Sequence, residues 1–509
     1  MDMAESATVS SYDEIPYDSK PQFPTHPDCL ATLATLLGMH PAHPERCRVL
    51  ELGCADGGNL LSLAQALPGS RFVGIDLSPR QVEMGRAVIQ AAGLDNVELR
   101  AASILDVGDD LGAFDYVICH GVYSWVPRPV QDKILEICSK SLAPQGVAFV
   151  SYNTYPGWHG RGMVREMLNF HVRRFEEPQV RVAQARAFLD FLVNSVRAKD
   201  GTHARLLKEE ADFLRNTPDY YLFHEHLEDV NYPLYFHQFV ERATAQGLQY
   251  LGESRWHSNL ESLPAEVRET LVDLSPDLIH LEQYLDFLDN RTFRRTLLCH
   301  AGVTLDRTPA PAVLRTMHVS ALARPTEGAR KAGPLETVRF QLEDGDTVST
   351  TAPLVKEALF ALADVWPRAL SFEKLWATIS PRLRPPLPDE VGRATLAEAL
   401  LRAFLTRAVD LHVSPPRFAD VPGDFPRASP LARHYARYGK RVPNLRHRSV
   451  MLEDFDRVVL IHLDGRRDRA ALVRVLREAA DEALSDETLA TALEASLDRL
   501  ASWALLPAS

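Results

Sequence analysis

The chain is 509 residues long, 46 % apolar and 24 % charged, an ordinary globular composition but too long for one core, so roughly two to four domains are expected. A formal charge of −12 argues against a general nucleic-acid binder, although a local basic groove stays compatible with it. Six scattered cysteines with no Cys-x-x-Cys pair argue against a disulfide framework or a zinc site. The acidic, polar N-terminus lacks the apolar core of a signal peptide and no run is apolar enough to span a bilayer, so a cytoplasmic protein is expected.

In chain order, Leu30–Gly38 carries helical spacing. Arg48–Leu52 is a short β-rich apolar run stopped by Gly53, the pattern of a buried parallel strand. Leu60, Leu63, Ala64 and Leu67 then recur at helical spacing until Pro68-Gly69. Arg71–Ile75 reads as a second strand ending at Asp76. Ser78 suits the N-cap and Pro79 the first turn of a helix running to about Gly93. Val97–Arg100, Asp115–Cys119 and Val147–Ser151 read as strands three to five, with a helix near Gln131–Ser141 before the fifth. This alternation predicts a doubly wound, Rossmann-like α/β sheet.

The turn after the first strand is Glu51-Leu52-Gly53-Cys54-Ala55-Asp56-Gly57-Gly58-Asn59. Its glycines allow close backbone approach to a ligand, and the free N–H groups at the helix start favour a carboxylate or phosphate. Asp76 follows at about the ~20-residue spacing of a ribose-binding carboxylate. Nicotinamide enzymes prefer G-x-G-x-x-G, which Gly53, Gly57 and Gly58 miss. The turn resembles motif I of class I methyltransferases, with Ala55 in place of the second glycine. That resemblance implies S-adenosylmethionine as cofactor. The Gly53–Gly58 backbone, with Cys54, Ala55 and Gly57, would lie along its methionine part, Glu51 near its amino group, and Asp76 at the ribose hydroxyls, with Asn59 and Leu77 as further cofactor-binding candidates. Ser103 stands where the family usually places an acidic residue over adenine and Asp106 follows slightly later, so either, with Ile104, is a candidate there. Tyr17 and His120 complete the candidate cofactor set.

Ligands of open α/β sheets bind beyond the carboxyl ends of the strands. His120–Pro127 follows the fourth strand and Tyr152–His159 the fifth. Candidate catalytic residues are therefore Tyr155, Asn153, His120, Trp125 and Trp158. Aromatic walls exclude water and attract cations. Methyl transfer rests on proximity and orientation, so no strong base is obligatory, and Tyr155, His120 or His159 would deprotonate or orient the acceptor. The plainer alternative is that both tryptophans pack the core and the histidines bond to loop backbone. Ser11–Asp18 reads either as a lid over the cofactor or as a disordered tail.

Taken together, Tyr12–Asp28, Glu51–Asn59, His120–Pro127, Ser151–His159 (SYNTYPGWH), Phe223–His226 with Tyr235-Phe236, and Asn290–His300 resemble bacterial methyltransferases with a methyltransferase regulatory domain. Rickettsial lysine methyltransferases that modify outer-membrane proteins are members. The resemblance implies a protein-lysine acceptor. A small-molecule acceptor and a non-enzymatic sensor of S-adenosylmethionine are the alternatives.

The catalytic domain is expected to span 1–302. Residues 161–216 form a helical insertion (Met163, Met167, Phe170, then Phe188, Leu189, Leu192, Val196) that would cover substrate or support a homodimer, and 217–302 form a regulatory segment completing the sheet. Leu222–His226 with Gly247–Leu251 reads as the sixth strand region, which puts His224 and His226 on one strand face, and Thr296–Cys299 reads as the seventh. No metal is expected, for want of a third ligand beside these histidines and His237. Residues 303–333 read as a linker. A winged-helix-like domain is expected at 334–425 (Val355–Trp366, Ser371–Ile379, Leu411–Val413), and a second, resembling peptide-chaperone modules, at 426–509, where a helix starts near Asp468 after the apolar run Arg457–Gly465. The basic run Arg433–Arg448 would grip an acidic partner or simply be solvated surface. A protein or peptide is the expected partner, with neither membrane nor nucleic acid.

Overall fold

A computed structural model describes residues 17, 19–196, 201–254, 260, 263–326, 330, 333, 335–343, 345–479 and 485–508. Seven strands, β1 (Arg48–Leu52), β2 (Arg71–Asp76), β3 (Val97–Ala101), β4 (Phe114–Cys119), β5 (Leu142–Asn153), β6 (Leu248–Glu253) and β7 (Phe293–His300), form one sheet in the order β3-β2-β1-β4-β5-β7-β6. β1 to β5 run parallel, and β7 enters antiparallel between β5 and β6. The near-continuous apolar runs of the central strands β1, β4 and β5 are buried on both faces, while edge strand β3 buries only Leu99 fully. Val49, Tyr116, Ile118, Val147 and Phe149 face helices α1 (Pro27–Leu36), α2 (Gly58–Ala66) and α3 (Pro79–Ala92). Leu50, Val117, Cys119, Ala148 and Val150 face α4 (Arg128–Lys140). Ser78 caps α3 by accepting from the Gln81 N–H at 3.1 Å, and Gly93 ends it with φ +66°.

The insertion is helical as expected: α5 (Gly157–Val172), α6 (Pro178–Val196), α7 (Thr202–Arg215) and α8 (Asp219–His226) share a separate core that includes Leu168, Leu189, Leu214 and Phe223. α8 corrects the strand expected at Leu222–His226. Pro218 at its N-cap and Asp219 in its first turn favour a helix, and adjacent Leu222 and Phe223 both enter the helical core. Two residues apart on a helix is about 200° of rotation, so His224 and His226 do not share a face. His224 meets Glu228 at 3.0 Å and His226 meets Glu210 at 2.9 Å, while His237 bonds to Gln283.

Helix α9 (Phe236–Ala245) leads into β6, and α10 (Ala265–Leu274) and α11 (Leu278–Asp289) precede β7. Arg294 of β7 is fully buried. It donates to Asp286 twice at 2.8 Å, to Glu253 at 2.8 Å and to Glu282 at 3.0 Å, and lies 3.8 Å over the Phe236 ring. One guanidinium thus fastens β6, β7, α9 and α11 together.

The stretch read as a linker is partly structured. Within it β8 (His318–Ser320) lies between β12 (Leu370–Ser371) and β13 (Asp410–His412), because Val319 buries completely in the core of the following domain. That core also holds α12 (Pro353–Val365), α13 (Phe372–Ile379) and α14 (Asp389–Leu405) and the small sheet of β9 (Arg324–Pro325), β10 (Val338–Gln341) and β11 (Thr347–Thr350). His412 bonds to Asp28 of α1 at 2.7 Å and so fastens this domain to the first. The last domain comprises α15 (Pro430–Ala436), the hairpin β14 (Arg441–Pro443)/β15 (Ser449–Met451), α16 (Asp454–His462), α17 (Arg469–Ala479) and α18 (Asp486–Ser502). The apolar run from Val458 to Ile461 is therefore helical. The basic run is not simply solvated: Arg446 and His447 are buried. Among the described residues no helix is long and apolar enough to cross a membrane.

Candidate active site

A cavity of about 540 Å³ opens beyond the carboxyl ends of β1, β2 and β4. Eleven of the thirteen candidate cofactor residues line it: Tyr17, Glu51, Gly53, Cys54, Ala55, Asn59, Asp76, Leu77, Ser103, Ile104 and His120. Gly57 and Asp106 do not. Gly57 packs below the cavity, where a Cβ would lie 3.0 Å from Leu99, and its φ of +79° is left-handed. Asp106 is exposed at the end of a short turn that Ser103 caps by accepting from the Leu105 N–H, which leaves Ser103 and Ile104 nearest the expected adenine position.

The glycine loop is shaped by close approach. At Gly53, with φ +72°, a Cβ would fall 2.3 Å from Val122 Cγ2 of the loop after β4. At Gly58 a Cβ would fall 2.3 Å from the carbonyl oxygen of Ser19, so the segment before α1 crosses directly over the start of α2. Asp76 braces the loop from the neighbouring strand, its Oδ2 accepting from the Ala55 N–H at 2.7 Å and its Oδ1 from the Ser78 N–H at 2.9 Å.

Glu51 is 4 % exposed. Its Oε1 accepts from Asn59 Nδ2 at 2.8 Å, while Oε2 is buried with no partner. Burial first, and then the neighbouring Asp76 and Asp56 charges, push its carboxyl up to about 8 against the Asn59 hydrogen bond. An unpaired carboxylate oxygen on a cavity wall is the complement of a cationic amino group, which is what S-adenosylmethionine presents, so the residues present fit that cofactor. Gln81 on the first turn of α3 matches it: it is 1 % exposed, lines the cavity, and neither amide atom has a partner. Gln81 sits inside an ordinary helical pattern, and nothing in the sequence marks it as a site residue. His224, for which a cleft-lining or structural role is the expectation, lines the cavity, and Lys20, Gln22, Glu225 and Glu228 line it unanticipated.

Of the candidate catalytic residues, His120 and Trp125 line the cavity and Asn153, Tyr155 and Trp158 do not. His120 bonds to Ser151 Oγ at 2.9 Å, and that oxygen also accepts from the Gly121 N–H at 2.8 Å. Burial, with the Arg295 and Lys20 charges, pulls the ring down to about 3. A ring so hard to protonate is a poor proton acceptor, and its geometry is that of a loop-orienting group. Trp158 is buried and meets Trp125 edge-on, ring centroids 6.0 Å apart. Asn153 bonds to Asn231 at 3.0 Å. Tyr155 stacks on His159 at 4.1 Å, and His159 bonds to Tyr235 at 3.2 Å. Of these three only Trp158 lies against a cavity-lining residue, Trp125. Of the expected lid only Tyr17 is described, with its ring against Tyr220 and His224, and the rest of Ser11–Asp18 lies outside the described residues. Among the described residues no group of three or more side chains suited to a metal ion occurs.

Three family models match the chain: a methyltransferase domain over 49–146, a predicted methyltransferase regulatory domain over 218–300, and a PKMT C-terminal winged-helix domain over 424–505. An uncharacterized protein of Rickettsia prowazekii is 34 % identical over 481 residues, covering 92 % of this chain and 86 % of the relative. A second uncharacterized protein of that organism is 41 % identical over 249 residues, 49 % of this chain and all of the relative. The solved structure of PKMT2 from Rickettsia typhi superposes with a TM-score of 0.85 at 31 % identity, covering 96 % of this chain and 100 % of that one. The same protein in complex with AdoHcy gives a TM-score of 0.85 at 30 % identity. With the sheet order, the glycine loop and the orphaned Glu51 oxygen, these matches make the chain a member of the S-adenosylmethionine-dependent methyltransferases that carry a regulatory domain and a PKMT-type C-terminal winged helix.

Proposed function

We propose that this methyltransferase modifies protein side chains, with lysine the first acceptor to test. The observation that carries the reading is the cofactor cavity itself, whose wall joins the cofactor loop to Glu225 and Glu228. Carboxylates there suit an incoming ammonium group. Burial pushes the Glu225 carboxyl up to about 7, which brings it nearer to an amine's own range and suits it to take the proton that a lysine must lose before it can attack. Likeness to PKMT2 and the PKMT winged-helix match support a protein acceptor. S-adenosylmethionine supplies an activated methyl group. Glu51, Asp76 and Gln81 would hold its polar ends and Trp125 and Val126 would exclude water, leaving orientation of the acceptor to govern an in-line displacement. A cytoplasmic setting agrees with six free cysteines. A homodimer through the insertion is part of the reading, supported by Phe170 and Phe191, which are 71 % and 62 % exposed on α5 and α6. Light scattering is expected to report a dimer that Phe170→Glu/Phe191→Glu converts to monomer.

The test of the acceptor is incubation of the purified chain with methyl-labelled S-adenosylmethionine, bacterial outer-membrane proteins and lysine peptides. Label on lysine supports the reading. Label only on a metabolite fraction contradicts it.

A further inference from the structure

A residue from the far end of the chain bonds to one wall residue of the cofactor cavity, Asn59. The hairpin turn between β14 and β15 reaches across the first domain and inserts His447, fully buried, beside the start of α2. Its Nε2 lies 2.9 Å from Asn59 Oδ1 and its Nδ1 lies 3.0 Å from Ser62 Oγ. Burial, with the His26 and Arg448 charges, holds the ring far below the usual histidine range and hence neutral. A neutral ring has one N–H, and an amide oxygen only accepts, so Nε2 donates to Asn59 and Nδ1 accepts from the Ser62 hydroxyl. Asn59 Oδ1 also accepts from the Gln22 N–H at 2.8 Å. With its oxygen held from two sides, the amide must turn its NH2 towards Glu51 Oε1 and Thr25 Oγ1, at 2.8 and 3.1 Å. Glu51 is then fixed by one oxygen and offers the other to the cavity.

The turn is built to hold this position. His447 has a left-handed φ of +55°. Asn444 Oδ1 accepts from the N–H groups of Arg446 and Arg448, at 3.0 and 2.9 Å. Arg446 lies 3.8 Å over Trp366 of the middle domain, and Arg448 lies 4.1 Å over Phe23 of the segment that crosses α2.

We propose that His447 is a positioning residue of the cofactor site: it locks the Asn59 amide so that Glu51 presents its free oxygen to the cofactor's amino group, and it thereby couples docking of the C-terminal winged helix to cofactor affinity. The proposal rests on the cavity being the S-adenosylmethionine site. It assigns the C-terminal domain a share in binding a ligand that it does not touch.

The test is calorimetric titration of the full-length chain with AdoHcy. His447→Ala is expected to weaken binding about tenfold, the scale of losing one buried hydrogen bond that orders a charged partner. His447→Asn tolerates the left-handed backbone and keeps an N–H donor, so it is expected to recover most of that loss. In an Asn59→Ala background the His447 substitution is expected to change affinity no further, because the relay is already cut. Gln65→Ala removes a different contact between the same two domains, the acceptor of the Leu431 N–H, and is expected to leave affinity at the parent value. Hydrogen exchange gives a readout that needs no variant at position 447: AdoHcy is expected to slow the Asn444–Arg448 amides in the parent and not in Asn59→Ala. Equal affinities for parent and His447→Ala, additive losses with Asn59→Ala, or unchanged exchange at the turn would each overturn the coupling. A parent chain that binds no AdoHcy would overturn the cofactor reading itself.

Discussion

At the scale of single residues, the site is defined by two buried polar side chains that the protein leaves incompletely bonded. Glu51 is held near pH 8 by burial, and an arriving ammonium group favours its ionised form. Binding is therefore expected to release a proton between about pH 5 and 8, and affinity to rise across that window. Titrations in buffers of different ionisation enthalpy check this, and Glu51→Gln is expected to abolish the proton release. The same group sets a stability trend in the ligand-free chain. Its unfolded carboxyl ionises near 4.5 and its folded one near 8, so its contribution is full below the first value and is lost as pH rises through the second. Gln81 follows similar logic with no charge. Gln81→Ala is expected to cost AdoHcy about 1–2 kcal/mol of binding, readable as a Kd weaker by about five- to thirtyfold. Glu51 and Asp76 were legible in the sequence because each ends a strand ahead of a recognisable turn. Gln81 was not, because one amide inside an ordinary helix carries no pattern until its missing partners are visible.

At the scale of elements, burial decided what could be foreseen. The central parallel strands β1, β4 and β5 are apolar on both faces, and their short uniform runs announced them. Helix α8 is eight residues long and rich in aromatic and histidine residues, so the sequence offers no full period of helical spacing to set against β-propensity. Its identity depends on Leu222 and Phe223 finding the core of the insertion, a tertiary effect. β8 escaped notice for the reverse reason: three residues among prolines and alanines acquire strand character only by pairing with β12 and β13. Arg294 marks where the regulatory segment is fastened to the sheet. Arg294→Met is expected to destabilise the chain by about 3–5 kcal/mol in denaturant unfolding, because Glu253 and Glu282 would lose the guanidinium they share and Asp286 would keep only Arg291, 3.1 Å away. Asp286→Asn alone, which keeps a hydrogen-bond acceptor for the guanidinium, is expected to cost less.

At the scale of the whole molecule, the three parts are joined through residues far apart in sequence. His412 on Asp28, His447 on Asn59 and the Leu431 N–H on Gln65 each bridge more than 350 positions. No such pair is readable from one sequence, since neither partner carries a local signature. The first and last domains are therefore expected to unfold together. Scanning calorimetry should show one transition covering both, and AdoHcy at a hundred times its Kd should stabilise it by about 2.7 kcal/mol. A separate early transition for the C-terminal domain, insensitive to AdoHcy, would contradict that expectation.

The hairpin turn that delivers His447 also sets a timetable. The sheet wall of the cavity is complete once β5 ends at Asn153, yet its last support is nearly three hundred residues further on. At ~5–20 residues per second a ribosome needs roughly 15–60 s to cover that distance. During that interval the nascent chain carries a glycine loop and an acidic strand end without the histidine that sets them. A chain stalled before residue 447 is expected to hold AdoHcy far more weakly than the released protein. Truncated products would then bind the cofactor less tightly than the released protein, because the histidine that sets Asn59 arrives only with the last domain.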